Sequence, residues 1–271
     1  MKTRVLAAGV MLPILLLILL VLPVIWATCL VAIISAIAAR ELLHTTKLVT
    51  EKRVVIYAMV MAVATSFWSY FGNPIMPAMA SLWVFLMVLI MELLANHGSL
   101  QFEKVCLAAV AGIVVPLCFS SVVRILLSDY GRYYMMTVMI MTSMSDTGGY
   151  FAGRFIGKHK LAPIISPKKT VEGAIGSLVM VVATLLVYGL ILENVFHLNY
   201  NYGLAFVYGI LGAVSSIEGD LAFSVIKRQS GIKDFGNLIP GHGGILDRFD
   251  STITTAPLAE ILMILIPIIG A

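Results

Sequence analysis

Residues 171–192 read VEGAIGSLVMVVATLLVYGLIL, and Glu172 is the one charged residue in this run. A helix needs about 20 mostly apolar residues to cross the hydrocarbon core of a bilayer. The run is therefore predicted to be a transmembrane helix. Apolar runs of similar length lie before and after it, so the same argument extends to the rest of the chain.

The composition of the whole chain supports the same interpretation. Of its 271 residues, 60% are hydrophobic and 12% are charged, and the mean hydropathy is +1.01, which lies outside the balance of a soluble domain. We expect an all-α, polytopic integral membrane protein with about nine transmembrane helices. Little more than Pro23 separates the first two spans, so eight helices is the alternative. The predicted spans are 5–22, 24–43, 54–71, 76–95, 104–127, 133–153, 171–192, 203–226 and 252–269.

The distribution of lysine and arginine predicts the orientation, because these residues concentrate on the cytoplasmic side of membrane proteins. With nine spans and a cytoplasmic amino terminus, all 18 Lys and Arg residues except Arg124 and Arg132 fall on that side. We therefore expect a multi-pass protein of the cytoplasmic (inner) membrane. The basic residues lie in short loops rather than on one solvated face, so anionic lipid or nucleotide phosphate is a better partner than nucleic acid.

The two halves of the chain differ in polarity, although 1–271 is predicted to be a single membrane domain. Residues 1–139 carry few ionisable groups within their spans and are interpreted as a scaffold with a candidate dimer interface. Residues 140–271 contain two long polar segments, 154–170 and 227–251. Catalytic helices and cytoplasmic loops are therefore predicted in the second half.

The segment 144–157 places Asp146 inside an otherwise apolar helix. A carboxylate there costs roughly 2.5 to 3.5 kcal/mol on insertion scales, so a compensating interaction is expected. Gly149, Gly153 and Gly157 recur every four residues and leave one helix face as bare backbone. Either Asp146 pairs with a basic residue at a close helix contact, or it binds a ligand. For the glycines alone, helix packing is the favoured interpretation.

A polar segment, 158–173, runs directly into the span quoted above. Ser166 or Thr170 can cap that helix, and in either case free backbone N–H groups and the positive end of the helix dipole are expected to face the segment. Lys168 and Lys169 add two cations, so a phosphate-binding site is predicted here. The alternative is a basic anchor that contacts lipid headgroups.

Residues 219–228 end a predicted span and place polar side chains on one helix face. In a helix, Asp220, Ser224, Lys227 and Arg228 share a face because they follow one another at offsets of four, seven and eight. A carboxylate, a hydroxyl and two cations on one face at the end of a span are suited to binding a metal ion or phosphate.

The next span begins with Asp247, Asp250 and Ser251, which share a face at offsets of three and four. Before it, residues 240–244 read PGHGG, and such glycines let backbone approach a ligand closely. Two carboxylate-bearing helices joined by a glycine loop suit Mg²⁺, which takes oxygen ligands and also binds phosphates. His242 lacks the spacing to a second His and is interpreted as a hydrogen-bond donor of the loop. A network of salt bridges is the alternative, but it would not require the glycines.

These residues together resemble a known motif. Residues 227–228 (KR), 233–234 (KD) and 240–250 (PGHGGILDRFD) are similar to the motif of the CDP-diacylglycerol synthase (phosphatidate cytidylyltransferase) family. Asp146 with its glycines, and residues 166–173 (SPKKTVEG), resemble earlier blocks of that family. The similarity covers the chain from residue 140 onward, and the first half resembles the family only in hydropathy.

The resemblance implies a Mg²⁺-dependent nucleotidyltransferase of phospholipid biosynthesis, which transfers the cytidylyl group of CTP to phosphatidic acid and acts as a homodimer. One or two metal ions are expected, with Asp220 and Asp247 as principal ligands that converge on one metal-bound phosphate, and Asp146 and Asp250 as second choices. The predicted catalytic residues are Asp220, Asp247, Lys227 and Arg248. The residues predicted to bind substrate are Ser166, Lys168, Lys169, Thr170, Arg228, Lys233, His242, Gly243 and Gly244.

One position departs from the family pattern. Bacterial members often carry a Glu three residues after the first aspartate, and Phe223 stands there in this chain. Glu218 precedes Asp220 by two residues and therefore faces nearly the opposite side of a helix.

The reaction implied by the resemblance requires mainly positioning and charge neutralisation, because a phosphate monoester with a second pKa of about 6 is already largely dianionic at neutral pH. The nearest alternative enzyme is a CTP-dependent lipid kinase, which would release CDP rather than pyrophosphate. The alternative outside enzymes is an anion transporter. Clustering of the charges near one membrane face and the lack of paired interrupted spans argue against it.

Overall fold

The computed structural model describes residue 9 and residues 13–72, 75–98, 100–238 and 243–270. Helices account for most of these residues. Two π-helical turns, Glu41–Thr45 and Val110–Val114, continue the helices that precede them. The helices are α1 (13–20), α2 (Val24–Arg40), α3 (Lys52–Tyr70), α4 (Ile75–Ala95), α5 (Phe102–Ala109), α6 (Val115–Phe119), α7 (Ser121–Leu127), α8 (Gly131–Phe155), α9 (Val171–Phe196), α10 (Tyr202–Gln229) and α11 (Leu246–Leu265).

Six helical stretches among the described residues are long and apolar enough to cross a membrane. They correspond to six of the predicted spans, so the all-α class with several candidate spans is confirmed. The predicted spans 133–153 and 252–269 lie mainly in α8 and α11, which are outside this set. The predicted span 5–22 begins in residues outside the described part, and the count of nine stays a prediction. The six stretches are Val24–Thr45, Lys52–Tyr70, Ile75–Ala95, Phe102–Leu127, Val171–Phe196 and Tyr202–Gln229.

The chain divides into two compact units. The first comprises Met1–Leu127 and Lys227–Phe249, and the second comprises Ser128–Ile226 and Asp250–Ala271. In the first unit α2 packs along α3, and both helices bury alanines completely, including Ala38 of α2. Small side chains of this kind let two helix backbones approach closely. The functional division of the chain at residue 139 stays a prediction.

In the second unit α8 and α9 pack against each other along glycines. A Cβ added at Gly149 would lie 2.8 Å from the Oγ of Ser177, and one added at Gly148 would lie 2.5 Å from the carbonyl oxygen of Gly176. The Ser177 hydroxyl also donates to the carbonyl oxygen of Ser145 at 2.6 Å. The prediction that the glycine face of 144–157 serves helix packing is therefore confirmed.

The polar segment before α9 forms a hairpin rather than an irregular loop. Strand β1 (Lys160–Ala162) pairs antiparallel with β2 (Ser166–Thr170), with Lys160 opposite Thr170. Thr170 is the N-cap of α9, and its hydroxyl accepts the N–H of Gly173 at 3.1 Å. Thr170, one of the two caps considered, is therefore the cap that forms. Two further short strands, β3 (Asn199–Tyr200) and β4 (Ile269–Gly270), also pair antiparallel.

Candidate active site

A cavity of about 220 Å³ lies in the second unit. Two predicted metal ligands, Asp146 and Asp220, line it together with three predicted phosphate-binding residues, Lys168, Lys169 and Thr170. The sequence therefore identified residues from α8, β2 and α10 that the fold brings to one cavity. The remaining lining residues are Ser145, Gly149, Tyr150, Leu161, Gly173, Ala174, Ser177 and Ile217.

Asp220 and Lys169 form the ion pair of this cavity. The Lys169 Nζ lies 2.8 Å from Oδ2 of Asp220, and the two side chains are 23% and 32% exposed. The hydroxyl of Ser224 donates to the other oxygen, Oδ1, at 3.3 Å, so two of the four residues predicted to share this helix face are confirmed to do so. Because water reaches both charges, the pair can open at modest cost and exchange partners with a phosphate or a cation.

The amino terminus of α9 differs from the expectation in one respect. The N–H of Val171 donates to the carbonyl oxygen of His159 at 2.9 Å, and the N–H of Gly173 is taken by the Thr170 hydroxyl. These two N–H groups are therefore not free to bind phosphate, because the hairpin that precedes the helix supplies their acceptors. Lys168 is exposed and, with Lys169, provides the positive charge at the cavity.

A second cluster of predicted residues lies in the first unit, around Asp247 at the start of α11. Oδ1 of Asp247 lies 2.8 Å from the Lys227 Nζ, and the two side chains are only 2% and 11% exposed. Oδ2 accepts the N–H groups of Phe235 at 2.7 Å and Gly244 at 2.9 Å. The Lys227 ammonium also lies 5.4 Å from the centre of the Phe235 ring, within the range of a cation–π interaction.

Glycines let the backbone before Asp247 lie close to carboxylate groups. Gly243 has φ of +88°, which favours glycine, and a Cβ there would lie 2.8 Å from Oδ2 of Asp247. A Cβ at Gly244 would lie 2.5 Å from Oε1 of Glu41. In the structure both glycines therefore make room for carboxylates of the chain itself. His242, predicted to bind substrate, lies outside the described residues.

The other predicted site residues lie at the surface or at helix ends. Ser166 is partly buried in β2, whereas Lys233 and Arg248 of the first unit are exposed. Arg228, at the end of α10, is exposed as well. Asp250 accepts the N–H of Ser251 at 2.8 Å through Oδ1. None of the four basic or hydroxyl residues lines the cavity around Asp220, and their substrate contacts stay predictions.

Glu218 lies on a different side of α10 from the cavity that Asp220 lines, as the helix pattern predicts. Glu218 is exposed and does not line the cavity, whereas Phe223 is 7% exposed. Glu218 therefore does not contribute its carboxylate to this cavity. Asp146, on α8, is the second carboxylate beside Asp220.

The donor groups can be compared with what Mg²⁺ requires. Among the described residues no group of three or more His, Cys, Asp or Glu side chains is placed to hold a metal ion. Asp146 and Asp220, however, line the same cavity, and Mg²⁺ is commonly bound through one or two carboxylates plus water and substrate phosphates. The donors around this cavity thus fit a Mg²⁺ ion that arrives with a nucleotide.

Asp247 presents a different situation, because both of its oxygens already accept hydrogen bonds from Lys227, Phe235 and Gly244. A metal ion bound there would have to displace the Lys227 ammonium or share the carboxylate with it. The prediction that Asp220 and Asp247 bind the same ion joins residues assigned to different units and stays a prediction.

Sequence reasoning missed one buried carboxylate, Glu41. It is 2% exposed and accepts backbone N–H groups of Ile245 and Leu246. The available signal was an acidic residue within the predicted span 24–43, since ionisable residues in spans commonly mark functional sites.

Comparison with known proteins gives a family match over almost the whole chain. Residues 2–266 match the model of the cytidylyltransferase family. The phosphatidate cytidylyltransferase of Bacillus subtilis (strain 168) is 32% identical over 274 residues, covering 98% of each chain. Those of Staphylococcus haemolyticus (strain JCSC1435) and Staphylococcus aureus (strain COL) are 38% and 37% identical, and each match spans 62% of both chains. For the staphylococcal relatives the match thus spans less than two thirds of their length.

Proposed function

We propose that this chain, which belongs to the cytidylyltransferase family, transfers the cytidylyl group of CTP to phosphatidic acid and releases pyrophosphate. The product is CDP-diacylglycerol, an intermediate of phospholipid biosynthesis. The observation that carries the proposal is the cavity of the second unit, where Lys168, Lys169, Asp146 and Asp220 meet. This combination of cations and carboxylates suits a metal-bound triphosphate.

The reaction forms one bond and breaks one. A phosphate oxygen of phosphatidic acid attacks the α-phosphorus of CTP, and the bond to the β-phosphate breaks. Because the attacking phosphate is largely dianionic at neutral pH, no strong general base is needed. The work left to the protein is to hold several negative groups in line and to neutralise their charge.

The two lysines of β2 are assigned to the phosphates. Lys168 is exposed and places its charge at the cavity. Lys169 is held by Asp220 before substrate binds, so phosphate can take Lys169 and release the carboxylate of Asp220. An exchange of partners of this kind keeps both charges compensated before and after binding.

Magnesium is part of the proposal. Asp146 and Asp220 would hold the ion at the cavity, and bound Mg²⁺ supplies positive charge that stabilises the leaving pyrophosphate. Asp247, with Asp250 as a further candidate, is proposed as a ligand from the sequence motif alone. One or two ions are proposed.

The decisive assay uses the purified chain in detergent micelles with CTP labelled at the α-phosphate, phosphatidic acid and Mg²⁺. We expect labelled CDP-diacylglycerol and an equal amount of pyrophosphate. Appearance of CDP with a phosphorylated lipid would instead indicate a lipid kinase. Movement of labelled anion into vesicles without turnover would indicate a transporter.

Asp220→Asn and Glu218→Gln form a matched pair for this assay. Both changes remove one carboxylate charge from the same turn of α10, but only Asp220 lines the cavity. Activity should fall in Asp220→Asn and stay within about twofold of the parent in Glu218→Gln. Equal losses of activity in the two variants would mean that this cavity is not the active site.

Orientation and location are also proposed. The division of basic residues supports a cytoplasmic amino terminus in the inner membrane, and the protein is proposed to work as a homodimer. Single cysteines can be labelled after the native cysteines, Cys29, Cys106 and Cys118, are replaced. A cysteine at position 160 should react from the cytoplasmic side and one at position 197 from the outside. The reverse labelling pattern would contradict the orientation.

A further inference from the structure

Glu41 links the end of α2 to the start of α11 within the first unit. It begins the π-helical turn Glu41–Thr45 and is 2% exposed. Oε1 accepts the N–H of Ile245 at 3.0 Å, and Oε2 accepts the N–H of Leu246 at 2.9 Å. Single π-helical turns often occur at functional sites. Here the turn begins with a carboxylate that contacts the amino end of α11.

The two N–H groups belong to the amino end of α11, where backbone donors lack partners within the helix. A carboxylate also favours the positive end of the helix dipole. Leu246 directly precedes Asp247, so the contact with Glu41 fixes the backbone on which Asp247 stands. Asp247 in turn accepts the N–H of Gly244, and the segment 243–247 is therefore held by two carboxylates.

Two glycines make this contact possible. A Cβ at Gly236 would lie 2.8 Å from Oε1 of Glu41, and a Cβ at Gly244 would lie 2.5 Å from the same oxygen. Contacts this short are not found for real Cβ atoms, so either side chain would push the carboxylate away. The absence of a side chain at 236 and 244 thus leaves room for the carboxylate of Glu41, although both glycines are remote from it in sequence.

We propose that Glu41 is a positioning residue, which sets the backbone of segment 243–247 and thereby the direction of the Asp247 carboxylate. This inference rests on the proposed function, in which Asp247 belongs to the catalytic motif. Glu41 itself does not contact substrate in this proposal. It acts through Ile245 and Leu246, and its loss should therefore affect turnover more than binding of CTP.

Glu41→Gln is the first test, because the amide keeps the size of the side chain but turns one acceptor into a donor. One of the two backbone N–H groups then loses its acceptor. We expect kcat to fall by about 10- to 100-fold, as for other supporting residues of active sites, while KM for CTP changes by less than about threefold. Glu51→Gln is the matched control, because Glu51 pairs with Lys104 near the surface. It should keep kcat within about twofold.

Hydrogen exchange gives a readout that does not depend on activity. In Glu41→Gln the amides of 243–249 should exchange about tenfold faster, while those of α8 and α9 keep their parent rates. Unchanged exchange at 243–249 would overturn the inference, whatever the activity. If the parent chain makes no CDP-diacylglycerol, the proposed function fails, and this exchange experiment still decides whether Glu41 holds the segment.

Gly236→Ala and Glu41→Asp provide a second test if Glu41→Gln does not fold. Both changes act on the same carboxylate contact, one by crowding it and the other by shortening the side chain. The loss of kcat in the double variant should therefore be smaller than the product of the two single losses. Multiplicative losses, or a kcat of Glu41→Gln within about twofold of the parent, would overturn the positioning role.

Discussion

Asp220 and Asp247 are both predicted to be principal metal ligands, yet their surroundings differ. The side chain of Asp220 is 32% exposed, and it pairs with a partly exposed lysine beside a cavity. The side chain of Asp247 is 2% exposed, and it accepts three hydrogen bonds, one from a lysine that is itself 11% exposed. Two aspartates with the same predicted role thus differ in how readily each can take a new partner.

The difference in burial sets the cost of breaking each ion pair. Exposed pairs contribute about 0 to 1 kcal/mol, because water screens them and solvates the separated charges. Removing one partner of a buried pair typically costs about 3 to 5 kcal/mol, because the remaining charge has no compensation. Asp220 is therefore suited to exchanging partners during a reaction, whereas Asp247 also stabilises the fold around it.

The largest expected effect is the loss of stability in Asp247→Asn. The change leaves the Lys227 ammonium buried without its counter-charge, so the free energy of unfolding should fall by about 3 to 5 kcal/mol. Asp220→Asn should lower it by no more than about 1 kcal/mol. Denaturant titration in mixed micelles measures both values.

Lys227→Met combined with Asp247→Asn is the control for this interpretation. The double change removes both charges, while the Asn side-chain oxygen can still accept backbone N–H groups. It should recover at least half of the lost stability without recovering activity. Equal stability of Asp247→Asn and Asp220→Asn would contradict the contrast between the two sites.

The next largest effect concerns activity and the metal ion. Asp220→Asn and Asp247→Asn should each lose about 100-fold or more of kcat, measured per folded protein, because each removes the charge of a predicted catalytic residue. If both serve one metal ion, the double variant should lose little more than the worse single variant. The concentration of Mg²⁺ giving half-maximal activity should also rise in each variant.

Multiplicative losses with an unchanged Mg²⁺ requirement would separate the two aspartates. Asp220 would then be assigned to the cavity that Lys168 and Lys169 line. Asp247 would have only a structural role, as the ion-pair partner of Lys227. That outcome would show that the two aspartates differ in function as well as in burial. It would also confine the metal proposal to Asp146 and Asp220.

Local patterns explain which parts of these sites the sequence could predict. The Thr170 cap and the glycine face of α8 follow from residues a few positions apart, so periodicity and capping rules found them. The hairpin before α9 was missed because its strands contain only three and five residues. The contact of Glu41 with Leu246 spans 205 positions, and no local pattern specifies which backbone groups a buried carboxylate will meet.

A smaller effect is expected from the lysines beside Asp220. Lys168→Gln and Lys169→Gln should each reduce kcat/KM for CTP by about tenfold, the effect of losing one charged hydrogen bond to phosphate. Lys158→Gln is the control, because this lysine is exposed in the same polar segment but does not line the cavity. If activity survives in both variants while the amount of protein in the membrane falls, the segment is an anchor and the phosphate assignment is wrong.

The smallest effect should come from Thr170, which caps α9 and lines the same cavity as Asp220. In Thr170→Ala the N–H of Gly173 loses its acceptor, and loss of an N-cap typically costs about 1 kcal/mol. Thr170→Ser retains the hydroxyl and should keep most of that stability.

Because Lys169 directly precedes the cap, Thr170→Ala should also weaken CTP binding by a few fold, as the lysine is held less firmly. Denaturant titration and KM for CTP measure the two effects separately. A stability loss in Thr170→Ser equal to that in Thr170→Ala would mean that the methyl group, which lies close to Gly157, rather than the hydroxyl, is the important part of the side chain. Lys169, and with it the ion pair to Asp220, would then depend on side-chain packing of residue 170 rather than on the cap hydrogen bond.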